Sequence, residues 1–127
     1  ACGAPMRNVK LGVDDYLMDR LKAGFQLLMF ADGAVSSAQA AMVAAAKAAA
    51  VPVNTILVAA ANAGALNGAA DLVVDDAEGR VAAKYAASPG AGYLIRPDGH
   101  VCARWPEADA ARLETALAVA CARKEVA

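Results

Sequence analysis

The sequence predicts an α/β fold with a mixed central sheet and helices on both faces. Three observations carry that prediction. Two apolar, strand-length runs, Gly24–Phe30 and Val53–Ala59, bracket a long alanine-rich helix. Two more β runs flank a Pro-Asp-Gly turn at Pro97–Gly99. The chain then closes on a helical stripe, with Leu113, Leu117 and Cys121 spaced i, i+4, i+8.

Residues 1–23 read as an irregular lead-in, with a short strand at Asn8–Leu11 and a helical turn over Asp14–Lys22 capped by Asp14. Residues 24–59 form a βαβ unit. Gly24–Phe30 is almost continuously apolar, as in a strand buried on both faces. Ser36 and Gln39 stand at the N-cap and N3 positions of a capping box. Val35, Ala38, Met42, Ala45 and Ala49 form the expected buried stripe, and Pro52 ends the helix by pushing Val51 out of the α region. Residues 60–70 are a Gly/Asn/Ala loop, and Leu72–Val74 is a third apolar run. Asp75 and Asp76 then cap a helix over Ala77–Ala87, or Asp76 and Gly79 make a turn before it. Ser88–Gly92 breaks the chain. Residues 93–105 form the hairpin, and residues 107–124 the last helix, with Pro106 at its first position. Arg123 and Lys124 complement its C-terminal dipole.

The chain of 127 residues is of single-domain length. Twelve Lys+Arg against 13 Asp+Glu give a net charge of -1, with no basic excess for nucleic acid and no charge block for a membrane surface. Alanine accounts for 36 residues, so the hydrophobic fraction of 59% overstates the bulky side chains available for packing. The longest apolar stretch, Ala38–Val53, is interrupted by Lys47 and Pro52 and is too broken to span a bilayer. No secretory signal opens the chain. Cys2, Cys102 and Cys121 make no framework and no CxxC, which fits a reducing, cytoplasmic setting. The first residue is Ala1 rather than Met, as in a chain processed or cut from something longer.

The residues carry little chemistry. Gly90 and Gly92 begin a GxGxxG pattern that fails at Ile95, and GxxxxGK[ST] is absent, so no glycine turn cradles a pyrophosphate. His100 and Cys102 sit two apart on one strand, where Asp98 or Asp109 would have to complete a metal site; a solvent-edge histidine is the simpler reading. Cys102 as a nucleophile needs a positive neighbour such as Arg104 on its own face. Cys121 reads as a small hydrophobe, and Cys2 as exposed. The pairs Asp14-Asp15 and Asp75-Asp76 read as caps. Arg96 and Arg104 read as solvated or acid-paired, and Trp105 as a packing residue. These readings leave catalytic, cofactor-binding and metal sites without a residue assigned to them.

The element order resembles the thioredoxin fold. The reactive CxxC of that fold would lie near Ala31–Val35, where there is no cysteine. Its cis-proline would fall at Gly90 or Ala91, with Pro89 out of register. Dithiol exchange needs an attacking thiolate and a resolving partner, and neither is present there. The run from Tyr93 to Trp105, YLIRPDGHVCARW, resembles the hairpin signature of the C-terminal domain of FAD-dependent aromatic-ring hydroxylases. Gly3-Ala4-Pro5 with Val9 and Leu11, Gly24–Leu28, and Val74–Asp76 with Tyr85–Ala87 resemble other segments of that domain. Cys102 replaces a smaller residue more usual in the signature.

The resemblance implies a thioredoxin-like domain that has lost its redox cysteines and serves packing or dimerisation. Preceding domains of the same protein would hold FAD, NAD(P)H and the aromatic substrate. Two other expectations stand beside it: a freestanding thioredoxin-like thiol oxidoreductase using Cys102 or Cys2, and a self-associating module without a catalytic parent.

Overall fold

A computed structural model describes residues 10–12, 15–16, 24–49, 51–66, 68–85, 87–97 and 100–126, without the side chains of 10–12, 15–16 and 120–126. Two short strands, β1 (Lys10–Gly12) and β2 (Asp15–Tyr16), pair antiparallel at the start. Asp15 and Tyr16 are therefore extended rather than helical, because pairing with β1 satisfies their backbone. Asp14, Leu17 and Leu21 lie outside the described residues.

The main sheet has five strands in the order β5-β4-β3-β6-β7. β3 (Phe25–Ala31) is its centre, and all seven of its residues are buried. β4 (Val53–Ala59) runs parallel to β3, and β5 (Leu72–Asp75) parallel to β4. β6 (Gly92–Ile95) and β7 (Val101–Trp105) form the hairpin, with β6 antiparallel to β3. Central placement explains the continuous apolar run of β3, since neither face meets water. At the edge, the Asp71 carboxylate accepts from the backbone and hydroxyl of buried Thr55 at 2.9 and 3.1 Å, pinning the start of β5 to β4.

Alternation along β3 divides the core. Phe25, Leu27, Met29 and Ala31 pack with Met42, Val43 and Ala46 of α1 (Ser37–Ala48) and with Leu113 and Leu117 of α3 (Ala110–Val126). Leu28 and Phe30 pack on the other face with Val81 and Tyr85 of α2 (Arg80–Tyr85), and with Tyr93, Ile95 and Val101. Helices thus cover both faces of a mixed sheet, as the sequence predicts.

Several local expectations are corrected. In α1 the buried residues are Gln39, Met42, Val43 and Ala46, and Ala38 is exposed. The helix is rotated relative to the expected stripe because its two bulky residues, Met42 and Val43, take the core. The helix expected over Ala77–Ala87 spans only Arg80–Tyr85, and the alternative expectation holds: Asp76 and Gly79 make a turn before it, with Gly79 N–H on the Asp76 carbonyl at 2.9 Å and Gly79 at φ 71°. The Asp76 carboxylate then caps α2 through Val81 N–H and Ala82 N–H. The last helix starts at Ala110, not at 107, and Pro106 lies outside it. Asp109 sets that start by accepting from Ala111 N–H and Arg112 N–H. Among the described residues, no helix is long and apolar enough to cross a membrane.

Candidate functional site

In sheets of this kind, ligands and reacting groups gather beyond the carboxyl ends of the parallel strands, where the strand order reverses. Here that place is the end of β3, which has β4 on one side and β6 on the other. Three loops converge on it. Residues 32–36 lead from β3 into α1. The turn after β4 is tied to β3 through Ala60 N–H on the Ala31 carbonyl, at 2.9 Å. Residues 88–91 are tied to Phe30 by Gly90 N–H on its carbonyl at 2.7 Å, and by Phe30 N–H on the Ala91 carbonyl at 3.0 Å.

Several polar groups of this cleft are engaged in structure. Ser36 Oγ accepts from Gln39 N–H at 3.1 Å, and Gln39 Oε1 accepts from Ser36 N–H at 3.0 Å, which completes the expected capping box. Gln39 is buried, and its Nε2 donates to the Phe30 carbonyl at 2.8 Å, locking α1 to the end of β3. The second bond was not legible in the sequence, since the capping-box spacing predicts only the first. Asp75 Oδ1 accepts from Ala77 N–H, and Asp76 caps α2. No thiol stands in residues 32–36 or 88–91. Truncating Gln39 to alanine is expected to cost about 1–2 kcal/mol, because the cap partner and the buried amide bond are lost together. Urea unfolding checks this, and a loss within error of zero contradicts it.

Cys102 lies at the other end of the sheet. Gln26 pairs with Ile95 and Leu27 with Leu94, while Leu94 faces Ala103 and Ile95 faces Val101. Cys102 is thus the extra residue of a β-bulge, level with the start of β3. The end of β3 lies about 17 Å further along the strand direction, at about 3.3 Å per residue, and two strands to the side. The bulge also separates Cys102 from Arg104. Cys102 packs against the α1/α3 side, whereas the Arg104 guanidinium lies 5.5 Å from the Tyr93 ring on the α2 side. Arg104 is therefore not on the face of Cys102.

The remaining candidates stay apart. The His100 carbonyl accepts from Arg96 N–H at the hairpin neck. Asp109 caps α3 and pairs with Arg112 at 3.5 Å. Trp105 is buried, as expected of a packing residue. Among the described residues, no three His, Cys, Asp or Glu side chains gather as metal ligands. Cys2, Asp98 and the Cys121 side chain lie outside the described residues.

No family model matches the chain, and no curated protein matches it. Solved structures do. A thiol:disulfide interchange protein from Bacteroides sp. superposes with a TM-score of 0.62 at 14% identity, covering 91% of this chain and 88% of its own. A Plasmodium vivax 2-Cys peroxiredoxin gives 0.59 at 16% identity, covering 96% of both chains. The fold is thioredoxin-like. These thioredoxin-like neighbours share the scaffold at identities that speak for fold alone. A third neighbour differs in kind. An aklavinone-11 hydroxylase, solved with FAD and aklavinone, matches at 30% identity with a TM-score of 0.57 over 91% of this chain. The thioredoxin-like chain spans only 20% of that hydroxylase's length.

Proposed function

We propose that this chain is a non-catalytic accessory domain, in C-terminal position, of a FAD-dependent aromatic hydroxylase of the cytoplasm. FAD, NAD(P)H and the aromatic substrate belong to preceding domains, and the thioredoxin-like unit packs against them or joins two copies of the enzyme. The carrying observation is the 30% identity to the aklavinone-11 hydroxylase over 91% of this chain, set against 20% of the hydroxylase. The cleft supports it: the place where a thioredoxin scaffold keeps its dithiol holds a capping box and no sulfur.

The test is the native polypeptide. Antibody capture from the source cells, followed by intact mass and an absorbance spectrum, is expected to return a flavin-bearing chain roughly five times this length. A native product of 12.8 kDa without flavin absorbance contradicts the proposal.

The second reading, a thiol oxidoreductase, is favoured by the peroxiredoxin-like and interchange-protein-like scaffold. It needs Cys102 or Cys2 to be an acidic thiol. Alkylation rates across pH decide it: a thiol titrating well below about 7 supports this second reading.

A further inference from the structure

Beside the Ser88–Ala91 turn, the end of the hairpin forms a cleft of about 360 Å³. That turn is tied to Phe30 near the carboxyl end of β3, so the cleft adjoins the place where sheets of this kind hold ligands. It opens on the α2 side. Ala87, Ala91 and Tyr93 line it and belong to, or pack on, the core cluster beneath α2. The Trp105 side chain packs in the opposite cluster, so polar groups rather than an indole define the site.

The charged group is preset. Tyr93 of β6 and Arg104 of β7 are cross-strand partners. Tyr93 is buried, its hydroxyl donates to the Tyr85 carbonyl, and its ring meets Tyr85 edge-on at 5.1 Å. This fixed ring carries the Arg104 guanidinium over its face, 5.5 Å from the centroid. Stacking leaves the planar N–H edge open, the geometry that takes two oxygens of one anion. Among the described residues no acid pairs with Arg104; the described ion pairs are Arg80–Glu78 and Arg112–Asp109. Ser88 adds a hydroxyl, a further donor that no described residue engages. The cleft therefore offers a fork and a hydroxyl, and no carboxylate lines it.

We propose that this cleft binds a small phosphate or phosphate monoester, with two oxygens on the Arg104 fork and a third on the Ser88 hydroxyl. A carboxylate has only two oxygens and satisfies the fork alone. The site lies wholly within this chain and does not depend on a parent hydroxylase. Phenylglyoxal labels accessible guanidinium groups, and peptide mass spectrometry reads Arg104 by itself. Inorganic phosphate is titrated into the intact chain at constant ionic strength, beside chloride, acetate and an acidic peptide. Phosphate is expected to slow Arg104 labelling saturably, with acetate needing about ten-fold higher concentration and chloride giving no protection. Arg112, already held by Asp109, is the internal control. Ser88 is exposed, and Ser88→Ala is expected to raise the half-protecting phosphate concentration several-fold while labelling in chloride stays unchanged. Phosphate is also expected to raise the melting temperature of the parent and not that of Arg104→Gln, which unchanged circular dichroism shows to be folded. No saturable protection, equal protection by acetate, equal protection of Arg112, or undiminished protection in folded Ser88→Ala overturns the proposal. Protection by the acidic peptide alone also overturns it, since the cleft would then dock protein.

Discussion

Replacing Leu94 with alanine is expected to lower unfolding stability by about 3 kcal/mol, with an unchanged denaturant slope. Leu94 is fully buried in β6, between Leu27 of β3 and Ala103 of β7. Its side chain belongs to the cluster that joins the sheet to α1 and α3, which includes Met42, Leu113 and Leu117. Removal strips those contacts and leaves a void that a close-packed core refills only in part. Domains of this size are stable by about 5–15 kcal/mol, so the loss is a large share of the total. Urea unfolding measures it. Val119→Ala is the control: Val119 is 48% exposed on α3, and alanine favours helix more than valine does. A Leu94→Ala loss no larger than that of the control contradicts the packing described.

Gly24→Val is expected to destabilise by about 2–4 kcal/mol, for a reason of backbone rather than packing. Gly24 has φ 114°, a conformation that side-chain-bearing residues rarely adopt. A Cβ there would lie 2.8 Å from the Pro52 carbonyl oxygen. That oxygen accepts from Phe25 N–H at 3.0 Å, the bond that starts the β3–β4 pairing. Relief of the clash therefore disturbs the first rung of the central parallel pair. Thermal unfolding of the variant tests this, and a melting temperature within about a degree of the parent contradicts it.

The main architecture was legible because strong, independent signals agreed. β3 and β4 are apolar and β-branched or bulky, Pro52 separates the helix from β4, and the Pro-Asp-Gly turn marks the hairpin. The capping box was readable from Ser36 and Gln39 alone. The orientation of α1 was not. Alanine is compatible with the core and with water, so a helix with alanine around its circumference has almost no periodic signal, and Met42 and Val43 decide its rotation. The start of α3 was misplaced because a proline after a strand and an aspartate cap compete as signals, and the cap at Asp109 wins. The bulge at Cys102 adds one residue without changing composition, so alternation placed Arg104 on the wrong side of that thiol. The empty cleft was legible as missing cysteines.

The proposal that this thioredoxin-like scaffold carries no dithiol chemistry is tested most directly by catalysed disulfide reduction. The chain is mixed with insulin and dithiothreitol, and turbidity is followed beside an active thioredoxin. The expected rate equals that of dithiothreitol alone, for the parent and for Cys102→Ser alike. Acceleration by the parent chain that disappears in Cys102→Ser would mean that the sulfur at the far end of the sheet does the work assigned here to no residue.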